Sequence, residues 1–394
     1  MYRHLAAATL ISLALAACRA TPAEPAPLNP EKAGAAVYDW GVAYYLSYDN
    51  DLEKAGPVIL KQIREGVVAE KTVAAVQADY TDTGGMHRYV ITPKGVTATR
   101  VASDDSASEE QALQYLEWFV KTYPCRRYVV IFLNHGGRLD ELCLDEEPDT
   151  EGKFWMSGKV LGEKLRQFKT KMPGRWELLF FQQCGRGSLE NLYSFRGTAD
   201  FVMSSPVNVG SPNSYYGTVH KWLGVTPEAT GDEVAAKIAE ADRDFTVYSC
   251  VRAAKLEELP KRLNQMLAPF VSRPDLTRFP VAAGIYKESG EELRDAKTFF
   301  ERLADSNQAG ATEVAAFIKW TDEELCTHVW RQKKAPAAAR SLCGLSLFVP
   351  DSAAEARRYS GLDFYRDSSL PALWEKWVKS ASPPAAKVSP TQGR

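Results

Sequence analysis

Apolar residues in this chain gather in short dense runs, separated by longer stretches with helical spacing. One run, Tyr128 to Asn134, reads Tyr-Val-Val-Ile-Phe-Leu-Asn and ends at His135-Gly136-Gly137. A second, Trp176 to Gln183, reads Trp-Glu-Leu-Leu-Phe-Phe-Gln-Gln and ends at Cys184-Gly185. Both are β-branched or aromatic and almost without charge, which predicts strands covered on both faces. Ligands in open α/β sheets collect at the carboxyl ends of such strands. A His at one end and a Cys at another are a candidate base and nucleophile.

The pattern before and between these runs alternates. Val37 to Ser47 predicts a strand, Leu52 to Glu65 a helix capped from Asp49-Asn50-Asp51, and Thr72 to Ala78 a second strand. His87 to Pro93 and Gly95 to Arg100 predict a hairpin turning at Pro93-Lys94-Gly95. Ser106 to Tyr123 carries Leu113, Leu116, Phe119 and Val120 at helical spacing, and Pro124 stops it. Ser157 to Lys171 predicts a helix with Ser157 as its cap. This order argues for an α/β fold with a largely parallel sheet. After Cys184, Ser188 to Arg196 predicts a helix and Ala199 to Ser204 a short buried strand. Beyond these, helices are expected over Lys221 to Ala241, Lys255 to Phe270, Glu291 to Ala304, Ala311 to Trp320 and Leu370 to Val378. Strands are expected over Phe245 to Val251 and Gly344 to Val349.

Composition adds bounds. The chain has 394 residues, 45% of them hydrophobic, enough for a large core. Lys plus Arg number 48 against 50 acidic residues, and no basic block or aromatic-basic stripe points to nucleic acid. The amino terminus is distinctive. A short basic start, Tyr2-Arg3-His4, precedes an apolar stretch from Leu5 to Ala17, too short for a comfortable membrane span and suited to an export signal. Leu15-Ala16-Ala17-Cys18 resembles a bacterial lipobox, which implies removal of residues 1–17 and lipidation of Cys18. An ordinary signal peptide with an incidental Cys18 is the plainer alternative. Arg19, in place of Asp, favours an outer-membrane destination in the cell envelope. Residues 18–35 read as a flexible tether, and 382–394 as a disordered tail. Five cysteines then remain besides Cys18 and Cys184. In an oxidising compartment Cys125 with Cys143, and Cys326 with Cys343, are plausible pairs. The absence of any C-x-x-C or His-rich cluster argues against a zinc site.

Tyr128 to Gly137 and Leu178 to Pro206 together resemble the clostripain-like cysteine peptidases, relatives of caspases, gingipains and legumains. Asp49-Asn50-Asp51-Leu52-Glu53, Ala199-Asp200-Phe201-Val202, Glu190 and Gly344 to Pro350 resemble further segments of that family. The resemblance implies a caspase-type three-layer sandwich, with a catalytic core over 36–220. Residues 221–381 would be either more of the same fold or a small subdomain. It implies an exported, lipid-anchored endopeptidase working by a Cys-His dyad. Cys184 would be the nucleophile and His135 the general acid, with backbone N–H groups of Gly136 and Cys184 as the oxyanion hole. Peptide or protein would be the substrate, and calcium is a cofactor the resemblance allows. Glu190 is expected to be structural, paired with a basic residue. Family members carry Asp two residues before the Cys to hold a basic side chain of the substrate. Here Gln182 stands in that place, and the loop Ser204 to Tyr216, with Ser204 and Ser205, has no acid. Arg or Lys before the scissile bond then loses its partner. Gln182-Gln183-Cys184-Gly185 is also reminiscent of the caspase Gln-Ala-Cys-x-Gly, with Arg186 either a cationic partner for substrate or exposed. The acidic segment Asp140 to Glu151 reads as a solvated loop able to gate the site or host calcium. A degenerate binding or scaffold protein on the same fold is the alternative function.

Overall fold

The computed structural model describes residues 38–81, 85–146 and 154–380. The stretches read as an export signal, a tether and a tail, with Cys18, therefore lie outside the described residues. In chain order the strands are β1 (Tyr38–Tyr48), β2 (Thr72–Tyr80), β3 (His87–Thr92), β4 (Gly95–Arg100), β5 (Cys125–Leu133), β6 (Glu141–Leu144), β7 (Trp155–Ser157), β8 (Arg175–Gln182), β9 (Phe201–Ser204), β10 (Val247–Arg252), β11 (Tyr286–Glu288), β12 (Glu291–Asp295), β13 (Cys326–Arg331) and β14 (Ser346–Phe348).

The central sheet runs β13-β10-β9-β8-β5-β1-β2-β3-β4. Its middle, from β9 to β2, is parallel, and antiparallel strands extend both edges. Period-two alternation in the middle strands builds two cores. Val130, Phe132, Leu179 and Phe181 face the helices Glu109–Thr122 and Gly158–Lys169. Val129, Ile131, Leu178 and Phe180 face the helices Gly56–Gly66, Tyr216–Leu223 and Gly231–Ala241. The result is the three-layer sandwich expected. Trp374 and Trp377 of the last helix, Leu370–Lys379, belong to the first core, so residues beyond 221 continue the same body.

Several elements differ from the sequence reading. The helix expected from Ser106 begins at Glu109, because Ser106 spends its N–H and hydroxyl on Asp145 and Ser108 caps instead. Lys221 to Ala241 is two helices, parted around Pro227, where Trp40 donates its indole N–H to the Thr226 carbonyl. Glu291–Asp295 is a strand between β11 and β14, and Asp295 caps the helix Ala296–Asn307 that follows. Gly344 to Val349 supplies β14 to that small sheet, not to the central one. Cys326–Arg331, read as no element, is an edge strand on β10. The six described cysteines are free thiols. Cys125 opens β5, whereas Cys143 lies just beyond its other end. Nine residues of strand, about 30 Å, separate those positions, so that pair has no geometry for a bond. Among the described residues no helix is long and apolar enough to cross a membrane.

Candidate active site

β5 and β8 are parallel neighbours with Leu133 opposite Gln182. Two residues further on, His135 and Cys184 leave the sheet side by side. The approach is close: a Cβ on Gly136 would stand 2.0 Å from the Cys184 carbonyl oxygen. Gly185 has φ +68°, and a side chain there would enter the ring of Tyr286. The Tyr286 hydroxyl donates to the carbonyls of Gly136 and Gly137. One tyrosine thus bridges the His turn and the Cys turn.

His135 is about one-third exposed, and its Nε2 lies 2.7 Å from Asp51 Oδ1. Asp51 follows β1, the other neighbour of β5. The residue before the His is firmly held: Asn134 donates to Leu144 O at 2.7 Å and to Ser47 Oγ at 2.7 Å. Asn50 in turn donates to Asn134 Oδ1 and to Leu144 O.

The Cys184 thiol rests against the loop after β9. Val209 donates its N–H to Sγ at 3.3 Å, and Sγ lies 3.7 Å from the Val209 carbonyl. Burial pushes the thiol above its ordinary value, opposed by the Val209 N–H and by the nearby Arg186 guanidinium. Arg186 itself is wholly buried, so the reading of it as exposed is corrected. It binds only backbone: Cys184 O at 3.0 Å, Gly137 O at 2.7 Å, Glu141 O at 2.6 Å and Leu139 O at 3.3 Å. Four of its five N–H donors are spent on these carbonyls, so the buried guanidinium ties the Cys turn to the segment after His135 and acts as a structural clamp.

Gln182 is buried, and its amide is saturated. Nε2 donates to Asn213 Oδ1 and Tyr216 OH; Oε1 accepts from Tyr215 OH at 2.6 Å and Tyr216 OH at 3.1 Å. Asn213 donates onward to Asp242 Oδ2 at 2.7 Å, and Tyr248 OH also donates to it. The pocket loop has no acid of its own, but the end of the helix Gly231–Ala241 brings this buried one behind it. Ser205 Oγ accepts from Val207 N and donates to Val207 O, while its carbonyl accepts from Gly187 N. Ser204, fully buried, pairs with Ser249 across β9 and β10.

The sequence profile of the clostripain family matches residues 67–380. The chain belongs to the clostripain family of cysteine peptidases. The fold agrees. An inactive zymogen of a C11 protease from Parabacteroides distasonis superposes with TM-score 0.66 at 21% identity, covering 84% of this chain and 99% of that one. A secreted C11 cysteine protease from Bacteroides thetaiotaomicron, in complex with an irreversible peptide inhibitor, superposes with TM-score 0.61 at 16% identity, covering 84% and 99%. No curated protein matches in sequence.

Other expectations inside this family framework are settled by contacts. Glu190 meets no basic residue among the described residues. It is completely buried, and its Oε1 accepts from Phe348 N at 3.0 Å, which docks β14 beside the Cys turn. Gly187 O and Ser346 N complete that join at 2.9 Å. The acidic segment is not a solvated loop in its described part. Asp140 accepts from Ser157 Oγ and Lys159 N, Glu141 pairs with Arg138, and Asp145 is completely buried. Residues 147–153 lie outside the described residues. Asp51 was expected only as part of a helix cap, and Tyr286 and Asp242 carried no role in the sequence reading. Asp51 was within reach, since it sits in a quoted motif; Tyr286 and Asp242 lie in stretches with no local signal.

Proposed function

We propose that this peptidase is an exported, lipid-anchored endopeptidase with a Cys184–His135 dyad and a preference before the scissile bond other than Arg or Lys. The observation that carries the dyad is the register of β5 with β8, with Gly136 seated on the Cys184 carbonyl. Cys184 as thiolate attacks the peptide carbonyl carbon and forms a thioester. His135 protonates the departing amine, then takes a proton from the water that hydrolyses the thioester. The N–H groups of Gly136 and Cys184 hold the developing oxyanion. Asp51 orients the imidazole from its far nitrogen, as the third group of a triad does. The raised thiol means that the resting enzyme depends on this partner, or on movement of the Val209 loop, for ionisation.

The specificity reading rests on Gln182, a neutral amide whose hydrogen bonds are consumed by Asn213, Tyr215 and Tyr216. Anchoring rests on Leu15-Ala16-Ala17-Cys18 alone. The decisive experiment is labelling of the purified chain with peptidyl acyloxymethyl ketones that vary in the residue next to the warhead. Labelling of wild type but not of Cys184→Ala or His135→Ala supports the dyad. Equal labelling of all three removes it and leaves the scaffold alternative. Membrane fractionation of wild type against Cys18→Ser tests the anchor.

A further inference from the structure

The small sheet β11-β12-β14 is made from residues far along the chain, yet each of its strands makes a contact at the site. From β11, the Tyr286 hydroxyl donates to Gly136 O and, at 3.1 Å, to Gly137 O. From β12, Glu291 Oε1 accepts from Leu139 N at 2.7 Å. From β14, Ser346 N donates to Gly187 O at 2.9 Å, and Phe348 N to Glu190 Oε1 at 3.0 Å. The register sets Tyr286 opposite Leu293, and Leu293 opposite Phe348. One row of buried residues therefore links the His turn to the helix Leu189–Ser194 that follows the Cys turn.

The Gly136–Gly137 peptide is held at both ends. Its carbonyl accepts from Tyr286, and its N–H donates to Glu141 O at 3.0 Å. The peptide before it carries the Gly136 N–H, which has no acceptor among the described residues. With glycine at 136 and 137, no side chain limits rotation in this turn. The direction of the Gly136 N–H then depends on the bonds that hold the neighbouring peptide, and Tyr286 supplies one of them. Its ring also lies against Gly185, 2.3 to 2.8 Å from where a Cβ would stand. Gly185 directly follows Cys184, whose N–H is the second oxyanion donor. Burial pushes the Tyr286 phenol above its ordinary value, so the hydroxyl keeps its proton and remains a donor.

We propose that Tyr286 is a positioning residue for the oxyanion hole, and that the three-stranded sheet is part of the active site for this reason. Its hydroxyl holds the Gly136–Gly137 peptide so that the Gly136 N–H faces the substrate oxygen. Its ring holds the turn that presents the Cys184 N–H. This rests on the dyad and the two oxyanion donors proposed above, and adds the group that aims them.

The test compares the full wild-type chain with Tyr286→Phe, which keeps the ring on Gly185 and removes the hydroxyl. Turnover of a peptide substrate, inhibition by the matching peptide aldehyde, alkylation of Cys184 by iodoacetamide across pH, and Tm are measured. The Cys184 sulfur adds to the aldehyde carbon and the carbonyl oxygen becomes the oxyanion, so this inhibitor needs the hole. Iodoacetamide is attacked at its methylene carbon and loses iodide, so alkylation needs only the thiolate. In the variant kcat falls about 30-fold with KM within about twofold, and aldehyde inhibition weakens by a similar factor. Alkylation and its pH profile stay within about twofold, and Tm drops by only a few degrees. An unchanged kcat overturns the proposal. So does an equal loss of turnover and alkylation, which a disordered site gives, or unchanged aldehyde inhibition beside a lower kcat, which leaves the hole intact. A wild type that turns over no peptide and shows no preferential alkylation at Cys184 strikes the dyad itself, and the proposal falls with it.

Discussion

A Cβ on Gly136 would stand 2.0 Å from the carbonyl oxygen of Cys184, far inside any tolerable contact. The turn after the candidate base and the turn holding the candidate nucleophile are thus packed backbone against backbone. Gly136→Ala must push them apart. We expect kcat/KM to fall at least about 100-fold, as an ångström of misplacement does, with Tm lowered by several degrees. Activity within about twofold of wild type refutes the role of this contact.

Arg186 has four backbone acceptors and, among the described residues, no carboxylate partner. Arg186→Met leaves four buried carbonyls without this donor, a loss of about 3–5 kcal/mol by the cost of breaking buried charged hydrogen bonds. Arg186→Lys restores charge but not the fork, and recovers only part. Denaturant titration of both variants checks the ranking. Equal stability for Lys and Met shows that the fork geometry is irrelevant.

Asp51 is largely exposed, so its pairing with His135 is screened by solvent. Its effect is orientation more than charge. Asp51→Ala should lower kcat by about tenfold and leave KM nearly unchanged, with Asp51→Asn retaining more. A rise in KM with unchanged kcat instead assigns Asp51 to substrate binding.

Gln182→Asp introduces a carboxylate into the network of Asn213, Tyr215 and Tyr216. The preference among peptide substrates for Arg or Lys before the scissile bond, over neutral residues, should rise by at least about tenfold in relative kcat/KM. An unchanged profile shows that position 182 does not reach the substrate.

Burial pushes the Glu190 carboxyl up to about 8. The folded state therefore holds a proton that the unfolded chain, titrating in the ordinary carboxylate range, has released. Stability from this group is present at acidic pH and is lost as pH rises through about 8. The slope is on the order of 1 kcal/mol per pH unit across that window. Glu190→Gln cannot titrate, so urea midpoints between about pH 5 and pH 8 should vary less than in wild type. A variant with the wild-type slope moves the effect to another group.

Much of the sheet is visible in local pattern. β5 and β8 are long, apolar and bounded by turn residues, because strands covered on both faces need side chains without charge in both directions. The serines at 108, 157 and 188 mark helix starts through their own hydroxyls, although at 106–108 the choice between neighbouring serines falls to Asp145. Glu291–Asp295 misleads, since its burial alternates only by virtue of β14 beside it, more than 50 residues on. Cys326–Arg331 has an edge strand's mixed polarity and becomes a strand only by pairing with β10.

Sequence alone determined the two strand ends, the turns of small residues that follow them and the family they resemble. These follow from backbone preferences and apolar spacing, which act between near neighbours. The tertiary structure decided what surrounds them. Asp51 reaches His135 across 84 residues, Tyr286 reaches Gly136 across 150, and Asp49, Asp79 and Asp145 converge from three separate stretches. No local rule brings such groups together. Asp49, Asp51, Asp79 and His135 meet because parallel strands deliver their carboxyl ends to one edge, and the two small antiparallel sheets bring Tyr286 and Asp145 to that same edge.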